Sequence, residues 1–303
     1  MNTLHTPVLL DSVLEVLNPR PGDRILDATL GLGGHASALL KRAGPKGVLV
    51  ALDADERNIA LAEPHLRKKN VTLVHANFGN IPRCLPDSET QFDVILADLG
   101  ISSVHLDDPE RGFTFRADAP LDMRLDPSQV MTAAKIIKHY SDDGLMRLFR
   151  EEGELSRPDI LVRCIRKIEK EKPLERSLDL NAAVESAYGY KAPRVLPQVY
   201  QALRMAVNRE REMLAQFVEA TPHLLAPGGR LGIISFHSLE DRIVKQAFRS
   251  LTLPTKDELT GQITREADYE TITKKPIVPS DKEIRDNPRS RSAKFRALRR
   301  RML

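Results

Sequence analysis

The stretch GDRILDATLGLGGHASALLKRAG, residues 22–44, decides the fold class, because it reads as a strand, a turn and a helix in succession. Ile25 and Leu26 are the apolar centre of the strand, the glycines that follow form the turn, and residues 35–42 favour a helix. A strand that leads through a glycine turn into a helix is half of a βαβ unit. The stretch therefore predicts an α/β protein.

Further strands alternate with helices after this unit. GVLVALDAD (47–55) is a second buried strand, and VTLVHANF (71–78) and FDVILADLG (92–100) are a third and a fourth. PGGRLGIISFHS (227–238) supplies a fifth. Such alternation is typical of a doubly wound, mostly parallel sheet.

The middle of the chain interrupts this pattern. Residues 104–128 are rich in Asp, Arg and Pro and predict a long loop, whereas residues 132–187 have helical periodicity throughout. We therefore expect an inserted helical subdomain. The predicted division is a first part of the sheet domain at 1–105, a lid loop and helical subdomain at 106–190, and a second part of the sheet domain at 191–303.

The last third of the chain should return to the sheet. A long helix is expected to start near Pro197, since proline is tolerated at the first helical position. Ser238 is a plausible N-cap for the helix after the fifth strand. TITKKPIV (271–278) and SAKFRALR (292–299) are predicted to close the sheet as a final pair of strands.

Composition limits the functional classes. The 303 residues are 41% hydrophobic and 29% charged, which is ordinary for a globular protein. No apolar run is long enough for a membrane span and the start has no signal core, so we expect a cytoplasmic protein. Cys84 and Cys164 stand alone, without CxxC or HExxH spacing, and no metal site is predicted.

Positive charge is concentrated at the C-terminal end. Residues 285–303, the basic C-terminal segment, contain eight Arg or Lys and one acid, Asp286. A solvated tail and a surface that binds phosphate groups both fit this composition. The sequence leaves the two interpretations open.

Several residues with chemical potential fall at the predicted strand ends. In an open parallel sheet the ligand binds outside the carboxyl ends of the strands, so Gly31, Gly33, Gly34, Asp53 and Asp98 should share one crevice. The glycines allow a ligand to approach the backbone closely. Asp53 is placed to accept hydrogen bonds from ribose hydroxyls.

This pattern alone does not separate a dinucleotide from S-adenosylmethionine. GLGGH lacks the third glycine of the dinucleotide fingerprint, since Ala36 stands three residues after Gly33, although alanine is an allowed substitute there. Asp27, just before the turn, would suit the ammonium group of S-adenosylmethionine, but it is equally an ordinary residue at a strand end.

Eight blocks, spread in order over nearly the whole chain, carry a resemblance to a known family. The blocks are HTPVLL (5–10), DATLGLGGH (27–35), DLGISS (98–103), RGFTF (111–115), PLDMRLD (120–126), QALRMAVN (201–208), GGRLGIISFHSLEDR (228–242) and NPRSRSAKFR (287–296). Together they resemble the signature blocks of the bacterial small-subunit ribosomal RNA cytosine-N4 methyltransferases.

The resemblance implies a class I (Rossmann-like) methyltransferase fold and methyl transfer from S-adenosyl-L-methionine to the N4 amine of a cytosine. The implied target is position 1402 in the decoding region of 16S ribosomal RNA, as naked RNA or in the small ribosomal subunit. The implied cofactor contacts are Gly33, Gly34, His35, Asp53, Phe78 and Asp98. His105 stands where the family usually has Gln and is predicted to take over that contact.

Two hypotheses concern catalysis. Asp98 is predicted to accept hydrogen bonds from the target amine, with the Leu99 carbonyl as a second acceptor, although binding the cofactor alone is an equal alternative. The loop at 107–126 is predicted to close over an extruded base. Its candidate side chains are Phe113 and Phe115 for apolar or stacking contact and Arg111, Arg116 and Arg124 for phosphate or internal ion pairs.

Two rival functions share parts of this pattern. A nicotinamide-dependent oxidoreductase would have the same sheet and glycine turn, but no Tyr-Lys proton donor stands out. A non-catalytic RNA-binding assembly factor would keep the fold and the basic C-terminal segment. No membrane partner is expected, and the sequence leaves open whether the protein forms a homodimer.

Overall fold

A computed structural model describes residues 7–85, 91–257 and 260–302. Its internal contacts divide the chain into two compact units. The sheet unit comprises residues 1–100 and 212–303, and the helical unit comprises residues 101–211. In the described ranges no helix is both long enough and apolar enough to cross a membrane.

The sheet unit is built on seven strands in the order β3-β2-β1-β4-β5-β9-β8, and a separate hairpin pairs β6 with β7. The strands are β1 Arg24–Asp27, β2 Val48–Asp53, β3 Val71–His75, β4 Phe92–Asp98, β5 Leu225–Ser235, β6 Thr255–Lys256, β7 Ile263–Arg265, β8 Tyr269–Thr271 and β9 Lys294–Arg300. The first five strands of the large sheet run parallel, while β9 pairs antiparallel with both β5 and β8. The predicted doubly wound, mostly parallel sheet is confirmed.

Helices cover both faces of this sheet, as continuous apolar strands require. The helices of the sheet unit are α1 Leu10–Leu17, α2 Gly34–Ala43, α3 Glu56–Leu66, α4 Ile81–Cys84, α12 Ser238–Leu251 and α13 Asp281–Asp286. Successive residues of β1 point to opposite faces: Ile25 packs with residues of α1 and α2, and Leu26 packs with Phe217 and Val244 on the other side. The strands are therefore held between two apolar layers.

The helical unit has its own core. Its helices are α5 Ser103–Asp107, α6 Ala133–His139, α7 Asp142–Glu151, α8 Pro158–Glu169, α9 Ser177–Tyr188 and α10 Ala192–Asn208, and α11 Glu210–Ala220 leads back to the sheet unit. The core of the unit includes Ile136, Phe149, Ile165 and Leu203, which are buried. The predicted boundaries at 105/106 and 190/191 differ from the observed division, because α10 packs against α6, α7 and α9.

The predicted long loop is part of this core. Phe113, Leu121 and Met123 are buried in the apolar cluster of the helical unit, and Phe115 packs edge-on against Tyr200 with ring centroids 5.5 Å apart. The absence of helical or strand periodicity in residues 104–128 was therefore misleading about packing, because irregular backbone can also bury apolar side chains.

Its arginines form contacts inside the helical unit. Arg111 is buried and donates to the carbonyls of Arg124 and Leu125, at 2.8 and 3.1 Å. Arg124 forms an ion pair with Asp122 at 2.7 Å. Of the two roles predicted for these arginines, the internal contacts account for Arg111 and Arg124.

The start of the long helix was predicted wrongly. Helix α10 begins at Ala192, with Pro193 in its first turn, and Pro197 lies inside the helix. The missing N–H of Pro197 would have bonded the carbonyl of residue 193, four residues earlier. Helix α10 nevertheless continues through this second proline to Asn208.

The C-terminal strands were predicted correctly for one segment and only in part for the other. Residues 294–300 form β9, whereas β8 is Tyr269–Thr271, and Ile277 makes only an isolated bridge to Phe295. Pro276 has no N–H to donate, which prevents residues 271–278 from forming a continuous ladder. The first strand of the predicted pair is therefore displaced towards the N-terminus, while the second is where it was predicted.

Candidate active site

The carboxyl ends of β2, β1 and β4 meet at the point where strand order reverses. The chain after β1 is bonded to both neighbouring strands, because Ala28 N–H donates to Leu96 O at 2.8 Å and Leu30 N–H donates to Leu52 O at 2.7 Å. Asp98 N–H in turn donates to Thr29 Oγ1 at 2.6 Å. In doubly wound sheets this edge is where ligands bind.

The glycine turn between β1 and α2 is shaped by close packing. Gly33 has φ 78°, a conformation that favours glycine, and a Cβ there would lie 3.0 Å from Leu66 Cδ1. A Cβ on Gly34 would lie 2.5 Å from Cγ of Pro7. Larger residues at these two positions would push α3 or the N-terminal segment away from the turn.

Asp53, at the end of β2, has a carboxylate fixed by backbone and side-chain donors. Gly31 N–H donates to Oδ2 at 2.7 Å, Asp55 N–H donates to Oδ1 at 2.8 Å, and Asn58 Nδ2 lies 3.2 Å from Oδ1. These bonds hold the carboxylate of Asp53 beside the glycine turn. A ligand therefore meets an acid whose orientation is already set.

Asp27, at the end of β1, is a buried acid with only one oxygen satisfied. Thr29 N–H donates to Oδ1 at 3.1 Å, whereas Oδ2 has no hydrogen-bond partner among the described residues. Burial and, after it, the charge of Asp53 raise the pKa of Asp27 to about 7. A cationic group beside Oδ2 would satisfy the oxygen and stabilise the charge.

Asp98, at the end of β4, is a second acid with a buried carboxylate oxygen that has no hydrogen-bond partner among the described residues. Its Oδ1 is buried and without a partner in the described part of the chain, and its Oδ2 lies 3.5 Å from Nδ1 of His35. Burial and the charges of Asp27 and Glu240 raise the pKa of Asp98 well above its usual value. The crevice thus contains two acids that repel each other and that a cation would stabilise.

These orphaned oxygens test whether S-adenosyl-L-methionine fits the crevice. The donor carries an ammonium and a sulfonium, and the crevice offers two buried carboxylate oxygens with no partner among the residues described. The glycine turn leaves room for close approach, and Asp53 presents a fixed acceptor. The residues fit the donor in charge and in hydrogen-bonding capacity.

The other two predicted contacts are Phe78 and His105. Phe78 belongs to a single turn after β3, where its ring packs edge-on against Phe217 at 5.5 Å. His105 belongs to the helical unit, where it is buried, accepts from Ser102 N–H at 3.1 Å and packs against Phe113. A cofactor contact by either residue stays a prediction.

Four residues of this region escaped the sequence analysis. Thr29 and Asn58 support Asp98 and Asp53, and Phe236 lies after β5, within 3.5 Å of the Cβ position of Gly100. His237, rather than Ser238, caps α12, in a capping box with Glu240. Glu240, three residues after His237, is typical of a capping box. The capping box was not predicted because histidine is not a usual N-cap residue.

The sheet order, with the antiparallel β9 beside β5, and the acids that surround the glycine turn define a class I methyltransferase that depends on S-adenosyl-L-methionine. The chain belongs to the MraW methylase family, whose model matches residues 2–301. The predicted fold class, enzyme class and methyl donor are confirmed.

Curated relatives support the family over their full lengths. A protein of Cyanothece sp. named "Ribosomal RNA small subunit methyltransferase H" is 43% identical over 301 residues, covering 98% of this chain and 95% of the relative. A protein of Heliobacterium mobile with the same name is 41% identical over 304 residues, covering 96% and 97%.

Solved structures resemble the chain more distantly. TrmN from Thermus thermophilus has a TM-score of 0.44 at 14% identity and covers 96% of this chain and 48% of its own. An rRNA methylase from Streptococcus thermophilus has a TM-score of 0.41 at 10% identity and covers 99% of both chains.

Proposed function

We propose that this protein transfers the methyl group of S-adenosyl-L-methionine to the N4 amine of cytosine 1402 in 16S ribosomal RNA. The relatives named as small-subunit ribosomal RNA methyltransferases support the substrate class, and the sequence blocks support the cytosine amine. The observation that carries the chemistry is the buried, partly unpaired carboxylate of Asp98 at the crevice. A ribosomal RNA substrate implies a cytoplasmic site of action.

Each acid in the crevice receives a distinct role in binding. Asp53, oriented by the N–H groups of Gly31 and Asp55, accepts the ribose hydroxyls. Asp27 accepts the ammonium at its unpaired Oδ2. Gly33 and Gly34 leave the backbone of the turn open to the donor, which when bound supplies an electrophilic methyl group on a sulfonium.

Asp98 is assigned to the reacting amine. The lone pair of a cytosine amine is delocalised into the ring, so the protein gains rate by holding the nitrogen in line and by accepting its N–H bonds as positive charge develops. Asp98 Oδ1 lacks a partner in the described chain and is suited to accept one of these bonds. The Leu99 carbonyl is the proposed second acceptor.

The target base must leave its stack to reach this crevice. Of the two residues first considered for stacking, Phe113 is buried in the core of the helical unit and Phe115 packs, partly buried, against that core. Phe236 replaces them in the proposal, because it follows β5 directly and lies beside Gly100, two residues after Asp98. Its partly buried ring is available at the same edge of the sheet.

The basic C-terminal segment contributes less to RNA binding than its composition suggests. Arg296 pairs with Asp241 at 2.7 Å, Arg301 with Glu266 at 3.6 Å, and Arg299 with Glu270. These three arginines support the structure of the sheet unit. Because their guanidinium groups already pair with acids, they have little capacity left to bind a phosphate group.

Arg289 and Arg291 are better placed for RNA. Both are exposed in the turn that leads into β9, whose first residue, Lys294, pairs with Ser235 at the carboxyl end of β5. That end of the sheet also carries Asp98, which pairs with Ile234. We assign the phosphate contacts to this turn.

The function is tested by mapping methylcytosine in 16S ribosomal RNA from cells that lack the gene and from cells in which it is restored. The proposal expects the N4-methyl mark at position 1402 to disappear and return. Retention of the mark in the deleted strain would refute the assignment.

The variant Asp98→Asn distinguishes a methyltransferase from a non-catalytic assembly factor. The variant is expected to lose methyl transfer more than it loses affinity for the donor, with both measured on the same preparation. If only affinity falls, Asp98 binds the donor and does not act on the amine. If complementation by the variant is complete, the assembly-factor function is favoured.

A further inference from the structure

His35, the second residue of α2, has a fixed arrangement of its ring nitrogens. Its Nε2 lies 2.9 Å from the carbonyl oxygen of Val8, and a carbonyl can only accept a hydrogen bond. Nε2 therefore carries a proton. In the neutral ring the basic nitrogen is then Nδ1, which lies 3.5 Å from Oδ2 of Asp98.

The N-terminal segment that supplies this carbonyl is itself held in place. Leu9 N–H donates to Oε1 of Glu283 at 2.6 Å, and Leu9 has a left-handed backbone with φ 55°. Pro7 packs so closely over Gly34 that a Cβ there would lie 2.5 Å from its Cγ. The contacts of Leu9 and Pro7 thus hold Val8 between them, and the Val8 carbonyl orients the His35 ring.

His35 is buried and Asp98 is partly buried. The side chain of His35 is 7% exposed and that of Asp98 is 24% exposed. Because Oδ2 of Asp98 and Nδ1 of His35 face each other, a proton between them can be bound by either group. The charged groups that face Asp98 are Asp27 from β1, Glu240 from α12 and His35 from α2.

We propose that Asp98 and His35 form one proton-accepting pair, in which Asp98 takes the proton that the methylated amine must lose and His35 shares it. The inference rests on the proposed function and extends it to His35, which acts as a positioning residue through Asp98.

The proton balance of the reaction requires a proton acceptor, and the proposal assigns this role to the pair. The amine nitrogen forms a bond to the methyl carbon, and the carbon–sulfur bond breaks with its electron pair left on sulfur. The amine then releases one N–H proton to the Asp98 carboxylate, and Nδ1 of His35 accepts a share of it. The nucleobase leaves neutral, and the pair later loses its proton to solvent.

The charges around the pair determine at which step of the reaction it can accept a proton. While a sulfonium is bound, its positive charge offsets the repulsion from Asp27 and Glu240 and keeps Asp98 ionised. Methyl transfer removes that positive charge. The buried acids then favour protonation, just when the amine has a proton to lose.

The test measures protons exchanged on binding and needs no RNA. The purified protein is titrated calorimetrically near pH 7 with S-adenosylmethionine and with S-adenosylhomocysteine, in two buffers that differ in ionisation enthalpy. The sulfonium ligand should release about one more proton than the neutral thioether. Equal proton release by the two ligands would overturn the proposal without touching the proposed function.

His35→Gln provides the matched variant, because a glutamine amide can still donate to Val8 O but has no basic nitrogen at the position of Nδ1. We expect the difference in proton release to shrink in His35→Gln and in Asp98→Asn. His75→Gln is the control, because His75 also bonds a backbone carbonyl, that of Ala54 at 3.0 Å, but is exposed. A His35→Gln protein that exchanges protons as wild type does would contradict the pair.

Kinetics give an independent readout for a folded His35→Gln protein. Its kcat should fall about 10- to 100-fold, with the acidic limb of the pH profile moved to lower pH and the KM for the donor nearly unchanged. A purely structural role would instead raise KM and leave the pH profile in place. That second pattern would overturn the assignment of His35.

Discussion

Replacing Asp27 by Asn should stabilise the ligand-free protein at neutral and alkaline pH. Asp27 is 1% exposed, and only one of its oxygens is bonded in the described part of the chain. Ionising this acid without a ligand places an uncompensated charge in the sheet. The amide keeps the hydrogen bond from Thr29 N–H and removes the charge.

The size of the effect follows from the pKa. The pKa of Asp27 rises from 3.8 to about 7 on folding. At 1.36 kcal/mol per pH unit, this corresponds to ~4 kcal/mol of lost stability above pH 7. Because the folded state holds the proton more tightly than the unfolded state, this loss develops as pH rises from about 4 to about 7 and is absent at lower pH.

Thermal and denaturant unfolding of both proteins, without donor, at pH 4, 5.5 and 8 measures the effect. The unpaired amide group of Asn costs a constant amount at each pH, so the change in the difference between the proteins isolates the ionisation. Asp11→Asn, exposed on α1, is the control and should show no such trend. A difference between Asp27→Asn and wild type that is equal at pH 4 and pH 8 would refute the reasoning.

Three further substitutions test the site and its support. Gly33→Ala should raise the Kd for the donor about tenfold, because a left-handed alanine costs roughly 1–2 kcal/mol and its Cβ meets Leu66; titration calorimetry would detect unchanged affinity. Asp53→Ala should weaken donor binding by at least about 1.5 kcal/mol in the same assay, and retained affinity would exclude its ribose contact. Phe217→Ala should lower the free energy of unfolding by ~3–5 kcal/mol, since the ring is fully buried and packs on Phe78; a loss below 1 kcal/mol by urea titration would contradict this packing.

The parallel sheet could be predicted because its strands are short apolar runs, three of which, β1, β2 and β4, end in an acid. Asp53 and Asp98 were expected at one edge, and the carboxyl ends of β2 and β4 do lie on either side of β1. The rule that ligands bind at this edge needs only strand order and direction. For Asp53 and Asp98, the position predicted from the local sequence agrees with the position in the fold.

Contacts between distant segments could not be predicted in the same way. Phe113 and Phe115 lie in a stretch without periodicity, and only the packing of the helical unit shows that Phe113 is a core residue and that Phe115 packs against this core. The bond from His35 to Val8 joins residues 27 positions apart across a turn. Such contacts depend on three-dimensional packing, which the spacing of single residues does not encode.

The most direct test of the central claim is a crystal structure of the protein with S-adenosylhomocysteine. The ribose should lie at Asp53, the ammonium at Asp27, and the sulfur should face Asp98 beside the glycine turn. A ligand bound away from the ends of β1, β2 and β4 would contradict the assignment of the active site.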